Sequence, residues 1–89
     1  MPVGPAEVTA EFTIHPFTEG SMEPHVRAGV DAAKASGLAV EVGPFGTGLA
    51  GDLDRVLEVL REVVAAAVGA GATSVQVKVE ASEVAEKTH

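Results

Sequence analysis

The chain predicts an α+β fold, and the order of its short segments is the observation that predicts it. Alternating apolar residues mark strands near Val8, Leu38 and Val75, and the glycine-rich residues 46–51 are interpreted as a turn with a short third strand. Two segments with apolar residues at helical spacing lie between them. This βαββαβ order is typical of the ferredoxin-like split β-α-β sandwich, a four-stranded antiparallel sheet with two helices on one face. Because that fold carries many functions, the function must be argued from particular residues.

The first strand is predicted to begin at about Glu7. Apolar and polar residues alternate along it, which indicates a sheet with one buried and one polar face. The residues predicted to be buried are Val8, Ala10, Phe12 and Ile14, and those predicted to face outward are Thr9, Glu11, Thr13 and His15.

The first helix is predicted to follow a turn at residues 18–21, with Ser21 as its N-cap. Apolar residues recur at helical spacing from Met22 to Ala33, and Gly37 is the kind of residue that ends a helix. The second strand is then predicted over residues 38–45.

Asp52 is predicted to cap the second helix. The helix is predicted to end at Gly69 or Gly71, and the last strand to follow it. The apolar stripe predicted for the helix is Leu53, Val56, Leu57, Leu60, Val63, Val64, Ala67 and Val68, and the last strand is predicted to bury Val75, Val77 and Val79.

Length and composition exclude several classes of protein. The 89 residues are enough for one domain, expected over residues 7–81 with flexible termini at 1–6 and 82–89. The absence of cysteine excludes disulfides, thiolate metal sites and cysteine nucleophiles. A net charge of -7 disfavours nucleic acid as a partner. With no secretory signal and no membrane-spanning segment, we expect a cytoplasmic protein.

A candidate ligand pocket follows from the predicted topology. If the first two strands are parallel, with the third between them and antiparallel to both, their carboxyl ends lie at one edge of the sheet. Phe17, Phe45, Gly46 and Thr47 would then cluster beside the start of the first helix. Two aromatic rings near glycine-rich backbone predict a small pocket, and the alternative is a hydrophobic plug over the end of the core.

The residues predict no catalytic or metal site. His15 and His25 have no third ligand at a recognised metal-binding spacing, and no serine has a nucleophile-elbow context. Glu11 and Glu41 would form a carboxylate pair if they faced the same side of the sheet, although such carboxylates are usually solvated or paired across strands. We therefore do not expect an enzyme.

Four short motifs, in this order, resemble the small thiamine-binding (YkoF-like) family. They are Ala-Glu-Phe-Thr-Ile-His-Pro-Phe at residues 10–17, Ala-Ser-Gly-Leu at 35–38, Gly-Pro-Phe-Gly-Thr at 43–47 and Asp-Arg-Val-Leu-Glu at 54–58. The resemblance implies a ferredoxin-like subunit that binds thiamine or its hydroxymethylpyrimidine part without catalysis and assembles into dimers or tetramers. It implies no cofactor beyond thiamine as a ligand, and a role in vitamin transport, sensing or salvage.

The residues are compatible with such a ligand. A phenylalanine can stack on its rings, a carboxylate can accept from its exocyclic amine, and hydroxyl or backbone groups can meet its ring nitrogens. The predicted ligand-binding residues are Glu11, Thr13, His15, Phe17, Glu41, Phe45, Gly46 and Thr47.

Two other functions compete with ligand binding. One is an oligomeric regulatory or assembly module without a small-molecule ligand, and the other is an acyl- or phosphoryl-transfer enzyme that depends on His15. Self-association has support of its own, because the predicted last strand lies at a sheet edge where only Lys78 and Glu80 discourage pairing.

Overall fold

The structure is a computed structural model that describes residues 7–16, 22–44 and 46–81. The strands form one sheet in the order β2-β3-β1-β4, with every neighbouring pair antiparallel, and both helices pack on one face of it. The predicted ferredoxin-like βαββαβ sandwich is confirmed. The elements are β1 (Glu7–His15), α1 (Pro24–Ala35), β2 (Ala39–Val42), β3 (Thr47–Asp52), α2 (Leu53–Gly69) and β4 (Ser74–Ala81).

Strand β1 is the centre of the sheet and of the core. It pairs with β3 from Glu7 opposite Asp52 to Phe12 opposite Thr47, and with β4 along its other side. Its residues alternate between the helix-covered face and the outer face, as predicted. The predicted buried set of Val8, Ala10, Phe12 and Ile14 is confirmed.

Helix α1 begins later than the sequence predicts. Its first residue is Pro24 and its N-cap is Glu23, while Met22 lies before the helix and is exposed. A proline suits this position, because its fixed φ is already helical and the first amides of a helix have no intrahelical partner. The predicted cap, Ser21, lies outside the described residues. The predicted end is confirmed, since Gly37 follows the helix with a left-handed φ of 83°.

Strands β2 and β3 are joined by a tight connection. The amide of Gly43 donates to the carbonyl of Gly46 over 2.8 Å, which closes a turn and ends β2 at Val42. The strand is therefore shorter than the predicted residues 38–45. The predicted short strand among the glycines is confirmed as β3.

Helix α2 has the predicted cap, but its apolar stripe was predicted too broadly. A carboxylate oxygen of Asp52 accepts from the amide of Arg55 at 3.0 Å. Leu57, Val64 and Val68 are exposed, whereas Val59, which the prediction left out, is buried. Neither helix in the described part of the chain has both the length and the apolar composition that crossing a membrane requires.

The prediction that β4 buries its valines is wrong for two of the three. Val75 is half-buried, but Val77 and Val79 are exposed, although they lie on the same face of the sheet as the helices. The reason is that β4 is an edge strand and α2 packs mainly over β1 and β3.

Helix α1 packs closely against the sheet at Gly29. A Cβ atom there would overlap Cδ1 of Ile14 and lie 3.4 Å from Cγ1 of Val63. We expect Gly29→Ala to destabilise the fold by about 1 kcal/mol, because overpacking a buried site costs about 1–3 kcal/mol and exceeds the gain of about 1 kcal/mol in helix propensity.

A double-mutant cycle tests this explanation, because Ile14→Val removes only the overlapping methyl group. We expect the free energy of unfolding of the double variant, measured by urea denaturation, to be about 1 kcal/mol higher than the value obtained by adding the effects of the two single substitutions. Additive effects would show that the overlap is not the cause.

Candidate functional site

A cavity of about 280 Å³ lies between α1 and the sheet, at the carboxyl ends of β1 and β2. Because β3 is antiparallel to both strands, β1 and β2 are parallel and end at the same edge, as the sequence analysis assumed. We call this space the α1 cavity. Its inner walls are apolar and come from the buried face of β1 and from the first half of α1, namely Phe12, Ile14, Val26 and Val30.

The mouth of the α1 cavity is formed by residues before α1 and after β2. Met22 lies on one side, and Val42, Gly43 and Pro44 lie on the other. All four are exposed, so the cavity opens to solvent between α1 and the β2–β3 turn.

The polar groups of the α1 cavity come from Thr13, Gly46 and Thr47. Thr47 is buried, at 4% exposure, and Thr13 is half-buried. The backbone at Gly46 approaches β1 closely, because a Cβ atom there would lie 3.0 Å from Oγ1 of Thr13 and 3.1 Å from the carbonyl oxygen of Phe12. Among the described residues, no charged side chain lines the cavity. The lining therefore suits a flat, uncharged molecule with a few polar atoms.

The two predicted glutamates lie on the other face of the sheet. Glu11 on β1 and Glu41 on β2 are both opposite Gly48, which lies between them on β3. They face the same side, about 9–10 Å apart by strand spacing, and line a shallow outer depression with Lys78. The structure therefore places the two carboxylates on the same face of the sheet with one strand between them, and outside the α1 cavity.

The histidines make hydrogen bonds away from the cavity. Nε2 of His15 donates to Oε1 of Gln76 at 2.9 Å, and Nε2 of His25 donates to the carbonyl of Pro16 at 2.7 Å. Neither imidazole lines the α1 cavity. Within residues 7–16, 22–44 and 46–81, no group of three His, Cys, Asp or Glu side chains could hold a metal ion.

Three of the eight predicted residues line the cavity, namely Thr13, Gly46 and Thr47. The sequence-based prediction missed the apolar walls of the cavity. Phe17 and Phe45 lie outside the described residues. Signals for the missed walls were present in the sequence. Phe12 and Ile14 belong to the buried alternation of β1, and Met22, Val26 and Val30 recur every four residues in the segment predicted as the first helix.

A family comparison identifies the class of protein to which this fold and cavity belong. The family model described as "Thiamine-binding protein" matches residues 10–89. The chain belongs to the thiamine-binding protein family, which confirms the resemblance seen in its motifs, and its role is related to thiamine.

Solved structures of similar chains support the fold. A domain of unknown function, DUF77, from Bacillus cereus is 29% identical, with a TM-score of 0.69 over 88% of this chain and 76% of that one. A hypothetical protein of Methanocaldococcus jannascii is 28% identical, with a TM-score of 0.66 over 88% and 80%. A candidate thiamine biosynthesis/salvage protein of Thermotoga maritima, 18% identical with a TM-score of 0.57 over 91% and 94%, shows the fold alone. No curated protein matches the chain.

Proposed function

We propose that this protein binds thiamine or its hydroxymethylpyrimidine part in the α1 cavity, without catalysing a reaction. The observation that carries the proposal is the cavity itself, an apolar space with a few hydroxyl and backbone groups at one edge of the sheet. Membership of the thiamine-binding protein family supports the choice of ligand. Binding of this kind would serve transport, sensing or salvage of vitamin B1.

The chemistry of an aminopyrimidine suits the lining of the cavity. The ring has two apolar faces, which would contact Phe12 and the aliphatic side chains of α1. Its exocyclic amine donates hydrogen bonds and its ring nitrogens accept them, and a threonine hydroxyl can do both. Thr47 therefore provides a hydroxyl group, and Gly46 backbone groups, of the kind that an aminopyrimidine edge requires. The volume of about 280 Å³ is close to the lower end of ligand pockets, which is about 300 Å³.

The orientation of thiamine follows from its charge. The thiazolium ring is cationic, and burying it among apolar side chains without a counter-charge would cost free energy. We therefore place the pyrimidine inside the cavity and the thiazolium at the mouth, near Met22 and Pro44, where both side chains are exposed. On this arrangement the free pyrimidine alcohol retains most of the binding energy of thiamine.

The test is calorimetric titration with thiamine and, separately, with the pyrimidine alcohol. We expect Thr47→Val to weaken the binding of both ligands about tenfold, because a hydrogen bond to a buried polar edge is lost.

Thr9→Val is the control, since it makes the same chemical change at an exposed residue on the outer face of β1, away from the α1 cavity. The affinity of this variant for thiamine and for the pyrimidine alcohol should equal that of the unmodified protein. If the folded protein gives no saturable heat with either ligand, the proposed function is wrong. If Thr9→Val weakens binding as much as Thr47→Val, the ligand does not lie in the α1 cavity.

A further inference from the structure

Ile14 lies between the α1 cavity and the contact of the two helices. It lines the cavity, is only 3% exposed and belongs to the helix-covered face of β1. On one side it pairs with Val75 of β4. On the other side the pairing of β1 with β3 ends at Phe12 opposite Thr47, so no described residue of β3 lies beside Ile14. The α1 cavity occupies this open side of the side chain.

The far end of the Ile14 side chain fills the space that Gly29 leaves on α1. A Cβ atom at position 29 would overlap Cδ1 of Ile14, and would lie 3.4 Å from Cγ1 of Val63 and 3.6 Å from Cβ of Ala67. Val63 and Ala67 belong to α2, and both are 0% exposed. The δ-methyl group therefore lies where α1, α2 and β1 meet, in a place that is free because residue 29 has no side chain.

A side chain at position 29 would leave Ile14 one direction in which to move. Val63 and Ala67 fill the side toward α2, and Val75 packs on the side toward β4. Because protein interiors are close-packed, a displaced side chain turns into the nearest space that no other side chain fills. For Ile14 that space is the α1 cavity, and the turned δ-methyl group would take up part of the inner end of the cavity.

We propose that Gly29 determines the size of the ligand that the α1 cavity accepts, by keeping the end of the Ile14 side chain out of it. This inference rests on the proposed function, since it concerns the same cavity. Gly29 does not line the cavity and is a positioning residue, whereas Ile14 forms the wall. With a volume of about 280 Å³, the cavity suits one aromatic ring with small substituents, so a loss of space equal to one methyl group changes which rings fit.

Calorimetric titration with the pyrimidine alcohol tests the route from Gly29 through Ile14. Gly29→Ala should weaken binding about tenfold or more, because one methyl group in an apolar pocket changes affinity about 10–200-fold. Ile14→Val should bind with little change, since it removes only the methyl group beside Gly29. The double variant should regain the affinity of the unmodified protein, because the added Cβ atom then overlaps no δ-methyl group. Circular dichroism establishes that each variant is folded.

Ligand size is the readout that a loss of stability alone would not move. The second probe is the same pyrimidine alcohol without the methyl group on its ring. Gly29→Ala should weaken the binding of the methylated ring several-fold more than that of the smaller ring. Gly69→Ala is the matched control, because it makes the same change in α2 at a position with nothing within 4 Å of the new Cβ atom. This control should leave both affinities and their ratio unchanged.

The crystal structure of the Gly29→Ala variant gives a readout that needs no ligand. Cδ1 of Ile14 should lie in the α1 cavity, and an Ile14 side chain that keeps its position overturns the inference. A folded Gly29→Ala protein with unchanged affinities, or a double variant that binds as weakly as Gly29→Ala, overturns it as well. These results leave the proposed function standing. If the unmodified protein binds neither ring, the proposed function is wrong, and the assignment of ligand size to Gly29 is wrong with it.

Discussion

Replacing Val42 with tryptophan is expected to weaken binding of thiamine and of the pyrimidine alcohol about 100-fold or more, which is about 3 kcal/mol of binding free energy. Val42 lies opposite Thr47, whose other neighbour is Phe12, so its side chain is on the cavity side of β2. It lines the α1 cavity and is 45% exposed at the mouth. An indole ring at this position would occupy the space that we assign to the ligand.

The fold should tolerate this change, because Val42 ends an edge strand and is not part of the buried core. Val42→Ala is the companion variant, since it widens the mouth and should bind both ligands with little change. Calorimetry gives the affinity, and thermal unfolding followed by circular dichroism shows whether the variants are folded. Normal binding by a folded Val42→Trp protein would place the ligand outside the cavity.

Phe12→Ala is expected to have the largest effect on stability, about 3–5 kcal/mol. Phe12 is only 2% exposed and lies on the central strand, between β3 and β4. Truncating it removes a large buried apolar surface and leaves a cavity that the packed helices cannot fully close. Because the free energy of unfolding of a domain is typically only about 5–15 kcal/mol, this substitution would remove much of it.

Urea denaturation followed by circular dichroism measures this effect, since the chain has no tryptophan or tyrosine to serve as a fluorescent probe. All samples should be compared at one chain concentration, because self-association would add to the apparent stability. Glu11→Ala is the control, as it changes the next residue on the exposed outer face and should shift the stability by less than about 0.5 kcal/mol. If Glu11→Ala lowered the free energy of unfolding as much as Phe12→Ala, the assignment of Phe12 to the core would be contradicted.

The features predicted well from the sequence are those set by local chemistry. The alternation along β1 predicted its buried face, because side chains of a strand point to opposite faces in turn. Asp52 predicted the start of α2, because a carboxylate there can accept an unpaired amide. Both signals depend on a few adjacent residues and on nothing elsewhere in the fold.

The features predicted badly depend on what covers an apolar side chain. Val77 and Val79 alternate like buried residues, and they do face the helix side of the sheet. They are exposed because α2 lies over β1 and β3, which no pattern within β4 could reveal. Likewise, Val64 and Val68 follow the helical period but lie on the side of α2 that no described element covers.

In the candidate site, too, some features could be predicted from local sequence and others depended on packing. The edge where the cavity lies was predicted from strand direction alone, and Gly46 and Thr47 are found there. Glu11 and Glu41 were chosen for their chemistry, but the alternation of their strands places them on the outer face. The polar residues of the motifs were therefore easier to notice than the apolar walls, which are shared with the core.

Strand β1 contributes both to the centre of the core and to the inner wall of the cavity, through Phe12 and Ile14. A mutation at either position would change the shape of the proposed ligand cavity and the folding stability together, so the two properties constrain each other. The exposed residues at the mouth, Met22, Val42 and Pro44, carry no such double role. If the α1 cavity holds the ligand as proposed, its mouth can be changed while its inner wall stays fixed, which makes the β2–β3 turn the target for redesigning specificity.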